Sequence, residues 1–211
     1  MHRCLPALTI AAVSCYGTAA AQVAANRSEA FRTEFLDNFH RTPLNTTPGD
    51  AMMLRILVES RGARRGVEVG VASGFGAINM GIGFERTGGH LYSIEIDPTW
   101  AAEARANLAK VGLEKTVTVV EGDALEVLPR LEGEFDFVFL DALKKDYLQY
   151  LKLLERKLKP GAVIVADNVI KSEKSMLDYL HYVTASPDYD TVIIRASMEK
   201  GDGMAISYKI R

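Results

Sequence analysis

The chain has 211 residues, 48% of them hydrophobic and 25% charged, with 17 Gly and 7 Pro. That length suits one α/β domain with a substantial core, and the near-average Gly and Pro content excludes collagen-like and disordered chains. With 25 basic against 27 acidic residues and a net charge of -2, no cationic excess exists to neutralise a phosphate backbone; the expected partner is a small molecule, not nucleic acid.

The chain opens with a short positive start at His2 and Arg3, an apolar run from Cys4 to Cys15, and Ala19-Ala20-Ala21. This pattern is that of a secretory signal peptide over residues 1–21, cut after Ala21. The run is too short for a bilayer-spanning helix, so no stable membrane insertion is expected. A genuine leader implies an exported or periplasmic protein, and its absence a cytoplasmic one. Both cysteines lie in this segment, which excludes disulfides, Cys–metal sites and thiol nucleophiles from a mature chain.

Residues 22–65 read as N-terminal helices covering a cleft. Ser28 can cap a helix that carries Phe31, Phe35, Leu36 and Phe39, and after a break at 43–49 a second helix carries Met52, Met53, Ile56 and Leu57. The core is expected over 66–211. Strands are predicted at 66–70, 90–96, 116–120, 135–140, 162–166, 189–195 and 204–209. Helices are predicted at 75–85, 98–111, 124–131, 144–158 and 174–185. Strands alternating with longer helices imply a mainly parallel seven-stranded sheet with helices on both faces. The last two strands lack an intervening helix and should form an antiparallel hairpin.

In such sheets ligands bind beyond the carboxyl ends of the strands. The first strand runs into Glu68-Val69-Gly70-Val71-Ala72-Ser73-Gly74-Phe75-Gly76, a turn that lets a ligand approach the backbone at Gly70, Gly74 and Gly76. Its spacing is not the dinucleotide fingerprint Gly-x-Gly-x-x-Gly, and no Gly-Lys-Ser/Thr follows. Glu95, at the end of the second strand, can accept from a ribose diol, whereas Asp97 before Pro98 suits a helix cap. Asp123-Ala124, after the third strand, either meets an adenine or caps the next helix. The fourth and fifth strands end in Asp141 and in Asp167-Asn168, oxygen ligands suited to Mg²⁺, Ca²⁺ or Mn²⁺. Lys144, three residues beyond Asp141, reaches back over that site if a helix starts promptly. A divalent ion beside it disfavours its charged form and suits it to act as a base, more so than Lys145. Trp100 reads as core, with contact to a bound adenine as the alternative. His40, His90 and His181 lack ligand spacing. Thr46-Thr47-Pro48 reads as a helix cap.

Glu68-x-Gly70-x-x-x-Gly74, Glu95 and Gly122-Asp123-Ala124 together resemble the class I S-adenosylmethionine-dependent methyltransferases, a Rossmann-like doubly wound fold. The resemblance implies that the glycine turn holds the methionine portion of S-adenosylmethionine, Glu95 the ribose and Asp123 the adenine. Asp141-x-x-Lys144-x-x-Tyr147 with Ala166-Asp167-Asn168 resembles the metal-dependent O-methyltransferases of the caffeoyl-CoA and catechol type. That implies a divalent metal, Mg²⁺ foremost, on Asp141, Asp167 and Asn168, cofactor contact at Asp141, and Lys144 as the catalytic residue that accepts the proton of a small phenolic or catechol-like hydroxyl acceptor. The departures are Ala142 and Leu143, where catechol-type enzymes carry histidine and aromatic residues, and Ala205 in place of a glutamate; Gly201-Asp202-Gly203 is closer to caffeoyl-CoA and bacterial relatives. The insertion loop with which plant enzymes grip coenzyme A thioesters is also missing. A homodimer remains open, as do two other readings: a non-catalytic cofactor- or ligand-binding protein on the same fold, and a nucleotide-dependent oxidoreductase.

Overall fold

The computed structural model describes residues 28–195 and 199–211; the expected leader, with Cys4 and Cys15, lies outside them. The elements in chain order are α1 (Glu29–Asp37), α2 (Pro48–Arg61), β1 (Arg65–Val69), α3 (Phe75–Thr87), β2 (His90–Glu95), α4 (Pro98–Lys110), β3 (Val117–Glu121), α5 (Ala124–Arg130), β4 (Phe135–Leu140), α6 (Tyr147–Leu154), β5 (Leu158–Ala166), α7 (Leu177–Ala185), β6 (Tyr189–Ile194) and β7 (Met204–Lys209). The seven strands form one sheet in the order β3-β2-β1-β4-β5-β7-β6. β1 to β5 run parallel, and β7 pairs antiparallel with both β5 and β6. Among the described residues no helix is long and apolar enough to cross a membrane.

The central strands are buried on both faces, which is why they read as nearly unbroken apolar runs. All six residues of β4 are buried. Val138 and Leu140 pack with Leu128, Leu151 and Leu154 on the α5–α6–α7 side, while Phe137 and Phe139 pack with Leu54, Ile78 and Leu108 on the α2–α3–α4 side. Asp136 breaks the run, but its carboxylate accepts the backbone N–H groups of Arg64 and Arg65 at 3.0–3.1 Å and so anchors the start of β1. The Ser28 hydroxyl caps α1 by accepting from Phe31 N at 3.2 Å. Arg32, 5% exposed, holds α1 to the core through the Val111 carbonyl at 3.0 Å and an ion pair with Glu85 at 2.6 Å.

Three elements differ from expectation; the helix predicted at 174–185 is a 3₁₀ turn at Glu173–Ser175 followed by α7. The helix predicted at 144–158 is a 3₁₀ turn at Lys144–Asp146, α6, and a second 3₁₀ turn at Glu155–Lys157. β5 starts at Leu158, not 162, and takes in Pro160 and Gly161. The β4–β5 register shifts between Phe135 and Phe137, an irregularity of the kind that lets a strand accept a proline lacking an N–H.

The register brings the strand ends level. Gly122 N donates to Glu95 O at 2.8 Å, Gly70 N to Ile94 O at 2.9 Å, Asp141 N to Val69 O at 2.9 Å, and Asp167 N to Leu140 O at 3.0 Å. Residues scattered over 98 positions of sequence thereby stand side by side along one carboxyl edge.

Candidate active site

A cleft of about 600 Å³ opens above that edge, lined by Gly70, Glu95, Trp100, Asp141, Lys144, Asn168 and their neighbours. An adjoining recess of about 270 Å³ shares Gly70, Glu95, Ile96, Ala142 and Leu143 with it and continues to Asp123, Ala124 and Tyr150. Pro43 and Leu44, in the link between α1 and α2, line the main cleft, while Phe31, Phe35, Leu36, Met53 and Leu57 of the helices pack on the α3–α4 side of the core.

The turn after β1 is built around Glu95. Its Oε2 accepts from Val71 N at 3.2 Å and Ala72 N at 2.8 Å, and its Oε1 accepts from Asp97 N at 3.1 Å. A carboxylate has about four acceptor positions, so capacity remains for a ligand hydroxyl. Gly70 has φ +93°, and a Cβ there would collide with the Asp141 carbonyl; the close passage of the turn over β4 demands glycine. Asp97 caps α4 by accepting from Thr99 N at 2.7 Å and Trp100 N at 3.1 Å. Asp123 does two jobs at once: Oδ1 caps α5 through Leu125 N at 2.8 Å, and the residue lines the recess.

Three expected cofactor residues lie outside the cleft. Gly74 and Gly76 are buried, and Cβ atoms there would meet Ala104 at 3.3 Å and the Glu68 carboxyl at 3.1 Å, so these glycines serve packing behind the turn. Glu68, 1% exposed, accepts from the Ser93 hydroxyl at 2.6 Å. Burial, opposed by that hydrogen bond and reinforced by the Asp141 and Glu95 charges, pushes its carboxyl up to about 8. A neutral acid beneath the turn supports it without reaching into the cleft. Trp100 is the opposite correction: it lines the cleft, where the core reading had placed it inside.

At the other end, Lys144 Nζ lies 2.9 Å from Asp141 Oδ1 and donates to the Tyr147 hydroxyl at 2.9 Å. Tyr147 is fully buried, and its hydroxyl donates a hydrogen bond to the Asp167 backbone carbonyl at 3.3 Å. Burial, with the Asp141 and Asp167 charges, holds this phenol neutral well above its usual range. Lys144 thus reaches Asp141 from a 3₁₀ turn, without the helix the sequence suggested, while Lys145 is exposed and outside the cleft.

Asp167, 2% exposed, accepts from Asn168 N at 2.7 Å through Oδ1, but its Oδ2 is buried with no hydrogen-bond partner. Burial and the neighbouring Asp141 charge push this carboxyl well above its usual range. A buried acceptor left unmatched is costly, and a cation removes the cost. Asn168 adopts φ +62°, a left-handed conformation that Asn tolerates. Its side chain hydrogen-bonds Asp202; the amide nitrogen is the donor in that bond, which leaves the amide oxygen as an acceptor. Among the described residues no three His, Cys, Asp or Glu side chains converge as a metal cluster. Two carboxylates and an amide oxygen, from Asp141, Asp167 and Asn168, are the donor set that fits a hard divalent ion.

Asp202 was visible only as part of a Gly-Asp-Gly motif. Its Oδ1 accepts from Ile170 N, Lys171 N and Gly203 N at 2.8–3.1 Å. Burial alone would raise its carboxyl, but these amides and Asn168 hold it below the usual range. Lys171 and Lys200 also line the cleft and carried no sequence signal. Asn45 joins the two ends: its Oδ1 accepts from the Ser73 hydroxyl at 3.0 Å, and its carbonyl accepts from Lys200 Nζ at 2.9 Å. Beside it, Thr47 caps α2 by accepting from Asp50 N at 3.2 Å, while the buried Thr46 hydroxyl has no partner.

Residues 25–183 match the family model described as O-methyltransferase. A catechol O-methyltransferase of Niastella koreensis is 34% identical over 135 residues, covering 62% of this chain and 61% of that one. A catechol O-methyltransferase of Mycobacterium tuberculosis is 37% identical over 138 residues, covering 65% and 59%. The matched stretch thus spans about three-fifths of these curated relatives. Among solved structures, a cofactor-bound protein from MTB aligns with TM-score 0.75 and 30% identity over 94% of this chain and 92% of that one. The O-methyltransferase TomG from Streptomyces achromogenes, in complex with SAM, aligns with TM-score 0.76 and 25% identity over 90% of each chain.

Proposed function

Because the chain belongs to the O-methyltransferase family, we propose that it transfers a methyl group from S-adenosylmethionine to a hydroxyl of a small phenolic, catechol-like molecule with the help of a divalent metal ion. The observation that carries this reading is the meeting, at one end of the cleft, of the Asp141–Lys144 pair with the unmatched Asp167 Oδ2 and with Asn168. In the reaction the methyl carbon–sulfur bond breaks, a carbon–oxygen bond forms, the sulfonium becomes a neutral thioether, and the acceptor's hydroxyl proton is taken up by the protein. When bound, the cofactor supplies an electrophilic methyl group, and a divalent ion supplies a Lewis acid that lowers the pKa of the hydroxyl.

The chain's own residues do the rest. Gly70 lets the turn pass close beneath the cofactor, Glu95 receives the ribose hydroxyls, and Asp123 and Ala124 border the adenine. Asp141, Asp167 and Asn168 would hold the metal, with Mg²⁺ the first candidate. Lys144, as the free amine, would accept the hydroxyl proton and become the ammonium, and the buried neutral Tyr147 holds the lysine at its post. Holding acceptor and methyl in one line supplies much of the acceleration. The test is methyl transfer to a panel of catechols with S-adenosylmethionine and Mg²⁺. A mono-methylated product lost on chelation is expected. No product from any acceptor, together with no binding of S-adenosylhomocysteine, would overturn the reading.

A further inference from the structure

The acceptor end of the cleft carries a positive charge that the proposed chemistry leaves unused. Lys171, in the loop after β5, is fixed through its backbone N–H, which donates to Asp202 Oδ1 at 3.0 Å. Its ammonium donates to the Lys200 carbonyl, a neutral acceptor. Among the described residues the Lys171 ammonium pairs with no carboxylate. The other charges nearby are already engaged: Lys144 with Asp141, and Asp202 with three backbone amides.

Part of the lining is apolar. Leu44 and Leu143 are 59% and 55% exposed, yet both face into the cleft together with Pro43. Exposed leucines at the mouth of a cleft suit a flat apolar body that covers them.

We infer that the acceptor is a hydroxylated aromatic acid, with its ring against Leu44 and Leu143, its reacting hydroxyl at Lys144, and a carboxylate received by Lys171. This rests on the reading of the cleft as an O-methyltransferase site. Lys171 is a specificity-determining residue here and takes no part in the proton transfer. The anionic chemistry is shared by a free carboxylate and by the phosphates of a coenzyme A thioester; the compact cleft favours the carboxylate.

The experiment measures binding by calorimetry to the full chain saturated with S-adenosylhomocysteine and Mg²⁺. The probes are 3,4-dihydroxybenzoate, catechol, 3,4-dihydroxybenzylamine and 3,4-dihydroxycinnamoyl-coenzyme A. The benzoate should bind about fivefold more tightly than catechol, the scale of one partly exposed charge pair, and the amine more weakly than catechol. The benzoate preference should shrink as ionic strength rises, a readout on the unaltered protein that does not depend on any variant folding. Lys171→Met should abolish the preference and Lys171→Arg restore it. Equal affinity for benzoate, catechol and amine, a preference that survives Lys171→Met, or a thioester that binds more tightly than the free acid would each overturn the inference. Methyl transfer is scored separately. Transfer to catechol with no preference for the acid overturns this inference and leaves the reaction standing. Lys171-dependent binding of the acid supports the inference whether or not a methylated product forms.

Discussion

Asp141 and Lys144 meet at 2.9 Å across the tight turn that follows β4. The lysine is held from its other side by Tyr147, so its Nζ stays at the cleft and does not swing into solvent. Lys144→Met should therefore lower kcat by about 10²- to 10⁴-fold, the usual contribution of a positioned proton acceptor. Affinity for S-adenosylhomocysteine, measured by calorimetry, should barely move. A variant that keeps full kcat would remove Lys144 from the chemistry.

Asp167 presents a buried oxygen with no partner. Asp167→Ala should abolish the heat of Mn²⁺ binding in a direct titration, while the fold keeps its cooperative melt. Chelation should silence the unaltered enzyme, and added Mg²⁺ should restore it but not the variant. Metal binding by the variant equal to that of the parent would mean the ion sits elsewhere.

Glu95 receives three backbone amides and faces the cofactor end of the cleft. Glu95→Gln weakens charge-assisted bonds each worth about 1.5–3 kcal/mol. The dissociation constant for S-adenosylhomocysteine should rise about tenfold or more. Unchanged affinity would show that the ribose is held by other groups.

Glu68 sets a pH dependence of stability. The folded chain keeps its proton up to about pH 8, whereas an ordinary glutamate releases it near 4.5. Across that window the folded state binds more protons than the unfolded one, so stability is highest at the acid end and falls as pH rises towards 8, by a few kcal/mol (order of magnitude). Burial acts on Asp167 in the same direction. Thermal melts should show the decline, and Glu68→Gln should flatten it, matching the parent near pH 5 and exceeding it at pH 8. An equally steep decline in the variant would place the ionisation elsewhere.

The parallel strands were legible because two-sided burial writes itself as apolar runs, and the acidic residues at their ends were legible because each follows such a run. Spacing along the chain could not show depth. Glu68 and Glu95 both look like carboxylates at strand ends, yet one lies under the turn and the other faces the cleft. Trp100 belongs to the first turn of α4, where a helical pattern cannot tell a core face from a cleft face. Lys171 and Lys200 come from loops brought together only by the antiparallel return of β7 beside β5, a juxtaposition without local sequence signal. The 3₁₀ turn at Lys144 was hidden because the residues that follow keep a helical rhythm.

Asn45 grips the Ser73 hydroxyl with its side chain and Lys200 with its carbonyl. One residue therefore stands between Lys200, on the wall of the cleft, and Ser73, in the glycine turn. If a guest at either end displaces Asn45, the affinities at the two ends become coupled, and whatever factor one guest imposes on the other is returned in full.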